Sequence, residues 1–394
     1  MEWAVWAVWE EWAASKPLSL LCSAPKMATK KPRSPLWRSG LFFGLEERFS
    51  LTMLGSMSSS QPLFYWEMYS SQRLMELRFK DLELRIKGSR LEPFIEQLYV
   101  ELSAQGLRFR PHVWISDEWF SPDGVPGIAI PFYLFHRRLA QLERAELFEV
   151  KGWSGQECMK LLRHEAGHAI DNAFGLRRIR RRQKLFGLSS EAYPTFYSYR
   201  SDGNRFVRHL NPGYAQAHPD EDWAETFAVW LNPRSNWRKL YKGKVAYAKL
   251  ELIDELMSSL RGRSPLTRGR EKPGQLSLDA RKMGDYYKAK RERLLSLHSR
   301  IKLKTPQNLY CSSSAKGSRS LALDFWVSEQ PAISQKVSSL TGQHAFVVER
   351  LLDRELERVA KRGLYLKLPW EEAKEAVIGQ LSAEVLCGKQ PIAM

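Results

Sequence analysis

The chain has 394 residues, of which 43% are hydrophobic and 27% are charged. This composition is typical of a globular protein and excludes a disordered or fibrous chain, and the length allows one large domain or two ordinary ones. The four cysteines lie far apart without a CxxC spacing, which argues against a cysteine zinc site and a secreted disulfide framework. We therefore expect reduced thiols and a cytoplasmic location.

The charge balance is strongly basic, because 61 Lys and Arg residues against 44 Asp and Glu residues give a formal net charge of +17. Such an excess fits a nucleic-acid partner, but it fits a simple basic surface at least as well. A run of six Arg and Lys residues at 177–184 has the same two interpretations, a solvated face or a recruiting surface. No stretch of 18 uncharged apolar residues occurs, so we expect no transmembrane helix.

The first 73 residues show little helical or strand periodicity beyond a tryptophan at every third position from Trp3 to Trp12. Acidic residues interrupt that segment and no Lys or Arg precedes it, which is unlike a signal peptide. We interpret residues 1–73 as a disordered leader or as translated sequence upstream of the true start, with Met75 as an alternative start.

Regular patterns begin near residue 74. Residues 75–86 alternate apolar and polar side chains, which favours a strand but leaves a helix open, and residues 90–106 have helical spacing. Residues 113–115 indicate a short strand. Residues 128–134 indicate another strand, which Pro131 confines to an edge or an end, and a peptide substrate could pair with such an edge.

The next elements are predicted to be mostly helical. A capping box of Ser154 and Glu157 predicts a helix up to Phe174, with Gly175 as its stop. An aromatic, turn-rich segment at 188–217 reads as a loop that covers a site. Further helices are expected at 219–231, 244–260, 286–298, 346–362 and 370–386, with a linker rich in Arg, Gly and Pro at 263–275.

The residues at 164–168 read HEAGH. On a helix, His164 and His168 share one face, so both imidazoles can reach one ion, and neutral imidazole is a preferred zinc ligand. Glu165 lies beside the first ligand and can accept a proton from water whose pKa zinc has lowered. The pattern therefore predicts a zinc hydrolase site, against the alternative that these are ordinary core or surface histidines.

A third ligand must come from elsewhere in the chain. Glu221 and Glu225 are four residues apart in a predicted helix and so face the same way. We assign Glu221 to the metal and Glu225 to the free ring N–H of one ligand histidine, and we keep Asp222, Glu225 and His218 as competing ligands. The alternative is that the acids only favour the positive end of their helix.

Three segments together resemble the bacterial "putative zinc-binding metallopeptidase" family: WFSPDGVPGIAIPFYL at 119–134, HEAGHA at 164–169 and HPDEDWAETFAVWL at 218–231. The resemblance covers residues 75–300 and implies one zinc ion and peptide or protein substrates. It also implies an α+β fold, with a zincin-like catalytic domain at 74–262, the linker at 263–275 and a mainly helical C-terminal region at 276–394.

The segment at 218–231 is also remotely similar to the catalytic domain of anthrax lethal factor, a gluzincin. That resemblance implies that Tyr214, seven residues before Glu221, hydrogen-bonds the oxyanion of the substrate. The alternative for Tyr214 is a loop tyrosine with its hydroxyl in water. His209 and His218 stay open as further site residues.

Three other functions remain open at this stage. The basic surface fits a metalloprotease recruited by nucleic acid, whose binding would depend on salt. A non-catalytic zinc protein is less consistent with three ligands, because structural zinc sites are normally four-coordinate and closed. The third function is hydrolysis of an amide bond that is not a peptide bond.

Overall fold

The computed structural model describes residues 64–200, 204–298, 309–312, 321–387 and 389–391, and all of them fall within one structural unit, 61–394. The α-helices in these ranges are α1 (Ser71–Met75), α2 (Glu92–Ala104), α3 (Arg137–Leu147), α4 (Gly155–Phe174), α5 (Arg180–Phe186), α6 (Pro219–Leu231), α7 (Trp237–Leu240), α8 (Val245–Ser259), α9 (Met283–His298), α10 (Ala322–Thr341), α11 (Ala345–Arg362) and α12 (Trp370–Cys387). The strands are β1 (His112–Ser116), β2 (Gly127–Pro131), β3 (Phe196–Ser198), β4 (Tyr310–Cys311), β5 (Tyr365–Leu366) and β6 (Lys389–Pro391). The described part is therefore mostly helical with small sheets, which is consistent with the expected α+β class.

The folded part includes residues that the sequence pattern placed in the leader. Trp66 is fully buried and its indole N–H donates to the carbonyl of Leu82 over 3.1 Å, and α1 follows at Ser71–Met75. The expected leader up to residue 63, including its tryptophans, lies outside the described residues. The other domain boundaries stay a prediction.

The alternating segment at 75–86 does not form the expected strand. Its centre is a 3-10 turn at Phe79–Leu82, and Glu83 ends the turn with a φ of 53°. The backbone bonds instead to a distant segment, since the Phe79 N–H donates to the carbonyl of Arg281 and the Met283 N–H to that of Leu77. Tertiary hydrogen bonding and burial of Phe79 and Leu82 override the alternation.

A two-stranded parallel sheet lies beside the long central helix. β1 pairs with β2 in a register that places Trp114 opposite Ala129. The exposed edge expected near 128–130 is not available, because all five residues of β2 are buried and the Ala129 N–H donates to Phe120 on the other side. β2 therefore belongs to the core and does not offer an edge for a substrate.

The central helix α4 begins and ends where the sequence predicts. The Ser154 hydroxyl accepts from the Glu157 N–H over 3.2 Å, and Gly175 ends the helix in the left-handed region with a φ of 63°. Nearly all residues from Cys158 to Phe174 are buried. The predicted helix at 219–231 is likewise present as α6, with Pro219 in its first turn.

The helices α4 and α6 pack with almost no space between their backbones. A Cβ on Gly167 would lie 2.9 Å from the Ala224 Cα and 3.2 Å from its carbonyl oxygen. The buried Trp223 indole donates to the Gly167 carbonyl over 2.9 Å. Glycine at 167 therefore permits the approach that brings the acids of α6 towards the histidines of α4.

A buried ion cluster fixes the start of α6 against α4 and α5. Arg182 is fully buried, and its Nη2 lies 2.9 Å from both the Asp171 Oδ2 and the Asp220 Oδ1. Its guanidinium also lies over the Trp223 ring. One arginine thus pairs with a carboxylate from each of the two central helices.

The basic run at 177–184 is not the uniform solvated face that the sequence favoured. Arg182 is buried, Arg177 is half-buried between Asp171 and Asp123, and Arg181 pairs with Glu255. Periodicity alone could not show this, because the acids that pair with the run come from other elements. Arg178, Arg180 and Lys184 are exposed, and no observation on the described residues supports a nucleic-acid partner.

The C-terminal part of the described chain is helical, as expected, and includes α10, which the sequence pattern did not predict and which contains Pro331. Residues 263–275 form no helix or strand and lie against the central elements, with the Leu266 N–H donating to the Ala173 carbonyl and the Trp114 indole to that of Pro273. None of the helices in the described ranges combines the length and apolar character that crossing a bilayer requires.

We expect Gly167→Ala to lower the free energy of unfolding by about 1–2 kcal/mol, because a backbone clash outweighs the better helix propensity of alanine. Gly379→Ala is the matched control, since Gly379 also lies inside a helix and a Cβ added there would meet nothing within 4 Å. That control is expected to be neutral or stabilising. Urea unfolding of both variants tests the contact, and equal effects would contradict it.

We expect Arg182→Met to cost about 3–5 kcal/mol, because Asp171 and Asp220 would stay buried without their cation. Arg181→Met removes a solvent-exposed pair from the same helix and should leave the melting temperature unchanged. Thermal unfolding measures both variants, and a melting temperature for Arg182→Met equal to wild type would show that the cluster is dispensable.

Candidate metal centre

Two histidines of α4 face each other across a buried space. His164 is fully buried and His168 is 8% exposed. Their Nε2 atoms are 3.2 Å apart and their rings are steeply inclined to each other. The four-residue spacing therefore places both imidazoles on one face of the helix, as the sequence predicts.

Glu221 of α6 completes a group of three candidate ligands. Its Oε2 lies 3.2 Å from the His164 Nε2 and 3.5 Å from the His168 Nε2. One ligand atom from each of the three residues lies within 4.8 Å of the other two. This buried His-His-Glu triad could bind a metal ion.

The spacing of these atoms fits zinc. Ligand atoms about 2.0–2.1 Å from a zinc ion in a tetrahedral arrangement are about 3.3–3.4 Å apart. The three separations in the structure are 3.2, 3.2 and 3.5 Å. Two imidazoles and a carboxylate are also a donor set that zinc favours in sites with an open position.

Glu225 holds His164 in the orientation that such a site needs. Its Oε1 lies 3.0 Å from the His164 Nδ1, and its Oε2 accepts the Leu210 backbone N–H over 3.0 Å. A carboxylate at Nδ1 favours a proton on that nitrogen and turns Nε2 towards Glu221. Glu225 thus lies behind the histidine rather than among the three converging ligand atoms.

Electrostatics favour positive charge at the centre of the triad. Burial by itself lowers the pKa of His164, but hydrogen bonds to Glu221 and Glu225 outweigh it and raise the pKa to about 10. Burial by itself raises the pKa of Glu221, but the charges and hydrogen bonds of the two histidines hold it well below its usual value. The site thus keeps the Glu221 carboxylate ionised and favours positive charge beside it.

Glu165 is buried next to the triad with no hydrogen-bond partner for either carboxylate oxygen among the described residues. Burial raises the pKa of Glu165, and the nearby His164 and His168 act against that rise. An acid without a structural partner at such a site is available for proton transfer.

Tyr214 lies on a short 3-10 turn, Tyr214–Gln216, just before α6. Its ring centre is 5.8 Å from that of His164, and its hydroxyl is buried without a hydrogen-bond partner in the described part of the chain. Burial raises the pKa of Tyr214 well above its usual value, so the phenol stays protonated and can donate. The structure does not support the alternative of a hydroxyl in water.

Tyr193 is a neighbour of the triad that the sequence did not reveal. Its hydroxyl donates to the Glu221 Oε1 over 3.3 Å, and its ring stacks on His218 with the ring centres 3.6 Å apart. The aromatic loop at 188–217 was expected to cover a site, but no spacing pointed to this particular residue.

Two of the competing ligands, Asp222 and His218, and the further candidate His209 have other partners. Asp222 forms a buried ion pair with Lys249. His218 caps α6, since its Nδ1 accepts the Asp220 N–H, and its Nε2 lies 2.9 Å from the Glu191 carbonyl. The His209 Nε2 lies 2.9 Å from the Lys160 carbonyl. None of these three points its side chain into the triad.

Comparison with known proteins adds one finding. No curated protein and no solved structure matched the chain. Residues 158–259 include most of α4 and the whole of α6, and therefore the three candidate ligands of the triad. The same segment also contains Glu165, Tyr214 and Glu225. This segment matches the model of the family described as "Putative zinc-binding metallo-peptidase", which is the family that the three sequence motifs resemble.

Proposed function

We propose that the protein is a zinc-dependent metallohydrolase that acts as a peptidase, with one zinc ion held by His164, His168 and Glu221. The observation that carries the proposal is the convergence of these three ligand atoms at tetrahedral spacing in a buried site. The family match over the same segment supports it independently.

The HExxH gluzincin class and a zincin-like fold are part of this proposal. Both ligand histidines lie on one helix, the glutamate lies on the next long helix, and the first helix packs against a small sheet. The proposal also includes the bacterial origin implied by the sequence resemblance and the cytoplasmic location expected from the cysteines.

When bound, a zinc ion would lower the pKa of water and polarise the scissile carbonyl. Glu165 accepts the proton of the attacking water and later donates it to the leaving amine. A carboxylate suits both steps here, because burial raises its pKa and no structural hydrogen bond from the described residues holds its oxygens.

Two other side chains position a metal ligand and stabilise the oxyanion. Glu225 keeps the His164 ring in place through its Nδ1. The protonated hydroxyl of Tyr214 donates a hydrogen bond to the oxyanion that forms on the substrate carbonyl, for which a buried donor without a partner in the described ranges is suited. The substrate is a peptide or protein. A zinc protein without catalysis is the alternative, and it predicts zinc binding without turnover.

We expect Glu165→Gln to keep one zinc ion per chain and to lose peptide hydrolysis, because the amide cannot accept the proton. His164→Ala should lose both zinc and activity. His112→Ala serves as the control, since this histidine lies outside the triad and contacts the Glu271 carbonyl. Metal analysis and cleavage of a mixed peptide library measure both properties. A His164→Ala protein with full zinc would show the ligand assignment to be wrong.

We expect Tyr214→Phe to retain zinc and to lower kcat about 10²- to 10³-fold, since one donor to the oxyanion is removed. Tyr247→Phe is a suitable control, because it also lies in the family segment but outside the site. Steady-state kinetics separate kcat from KM. An unchanged kcat would remove Tyr214 from the mechanism without affecting the zinc ligands.

A further inference from the structure

The short strand β3 lies in the loop before α6 and is connected to the candidate metal centre at two points. Three residues before the strand, the Tyr193 hydroxyl donates to the Glu221 Oε1. In the middle of the strand, the buried Tyr197 packs edge-on against Tyr214, with the ring centres 6.4 Å apart. The Tyr214 ring in turn lies beside that of His164. A peptide bound along β3 would therefore lie next to the site.

The partner of β3 is an extended segment that comes much later in the chain. β6 follows α12 after one residue and pairs with β3 in the antiparallel direction. The register places Gln390 opposite Tyr197 and Lys389 opposite Ser198. Among the described strands, β3 and β6 form a two-stranded sheet of their own. The protein thus already holds a piece of extended chain against a strand of the site.

The direction of β6 is the direction that leads towards the metal ligands. Pro391 lies opposite Phe196, so β6 runs from the Ser198 end of β3 to the Phe196 end. Tyr193, which contacts Glu221, lies beyond that end. In an antiparallel pair, one residue of the added strand faces one residue of the other strand. A peptide that continued in this direction would reach the level of Tyr193 about three residues after the position opposite Phe196.

The pairing of β6 is of a kind that another peptide can replace. Strand addition gains its affinity from backbone hydrogen bonds, which form with many different sequences. β6 has three residues, and one of them, Pro391, has no N–H to donate. A two-stranded sheet of this length is only marginally stable by itself. A longer peptide with all its amides is therefore a strong competitor for β3.

We propose that β3 is the edge on which a peptide substrate pairs as an extended antiparallel strand, and that Lys389–Pro391 occupies this edge as an intramolecular competitor. This inference rests on the proposed peptidase function. The strand β2 cannot serve instead, because β1 and Phe120 close it on both sides. An internal competitor raises KM and leaves kcat unchanged, since it lowers only the fraction of molecules with a free edge.

The double variant Lys389→Pro/Gln390→Pro tests the competitor. Neighbouring residues of an antiparallel strand direct their amides to opposite sides, so the two prolines remove the amide that faces β3. Lys389→Ala/Gln390→Ala is the matched control, because it removes the same side chains and keeps both amides. Thermal unfolding checks that each variant is folded. If the double proline variant does not fold, the two single proline variants replace it, and one of them removes the amide that faces β3.

Binding is measured on full-length, zinc-loaded protein that also carries Glu165→Gln, so that the peptide is not cut. The probe is a fluorescein-labelled peptide of residues 383–394 with Pro391→Ala, which supplies the missing amide. We expect the proline variant to bind it at least about tenfold more tightly than the protein with the natural residues at 389 and 390, and the alanine variant to bind it like that protein. Equal affinities of the proline and alanine variants would overturn the proposal.

The same probe with N-methylated amides at positions 389 and 390 is the control for backbone pairing. It keeps the side chains and loses the amide that would bond to β3. We expect it to bind the proline variant at least about tenfold more weakly than the unmodified probe. Binding of both probes with the same affinity would show that the peptide does not add to β3 as a strand, and would also overturn the proposal.

Cleavage separates this proposal from the peptidase function. With Glu165 in place, and for a peptide selected from the mixed library, we expect the proline variant to lower KM at least about tenfold and to keep kcat within about twofold. An unchanged KM would leave the peptidase in place and remove β3 from its substrate site. Tighter binding of the probe by the proline variant, with no cleavage by any form, would retain the peptide-binding edge and refute the peptidase.

Discussion

The candidate metal centre depends on how closely α4 and α6 approach each other. Two histidines one turn apart fix only one side of the site, and the third ligand comes from a helix more than fifty residues later in the chain. At Gly167 the backbones meet with no room for a side chain, and the Trp223 indole bonds across the same contact. The position of Glu221 relative to both imidazoles follows from that contact, because Glu221 precedes Ala224 by one turn of α6.

The acidic residues of α6 differ in the residues with which they pair. Asp220 pairs with Arg182 and Asp222 with Lys249, so both charges are neutralised inside the protein. Glu221 and Glu225 instead face His164, and Glu165 has no basic partner within hydrogen-bonding distance among the described residues. Negative charge that is not neutralised by Arg or Lys is thus gathered around the two imidazoles. A divalent cation would offset it there, whereas the same number of carboxylates buried without one would be costly.

The local parts of this arrangement could be predicted from the sequence. The capping box, the stop glycine and the i, i+4 spacings are short-range signals, and they indicated the limits of α4 and α6 and the faces on which the histidines and glutamates lie. Features that depend on distant partners could not be predicted in this way. The segment at 75–86 alternates apolar and polar residues like a strand, yet its backbone forms hydrogen bonds with residues 279–283. The sequence suggests that Arg182 is exposed, whereas in the fold it is buried against Asp171 and Asp220. The contact of Tyr193 with Glu221 could not be predicted either, since only the folded loop brings the Tyr193 hydroxyl to that carboxylate.

The hydrogen bond from Tyr193 has a consequence for how Glu221 would coordinate. Its Oε1 accepts the phenol, whereas its Oε2 faces the two histidines, so the two carboxylate oxygens have different environments. A carboxylate held in this way favours monodentate ligation, because bidentate binding would turn the first oxygen away from its donor. Three single-atom ligands would leave a vacant vertex in a four-coordinate shell, and a loop tyrosine outside the ligand set would thereby help to keep that vertex open.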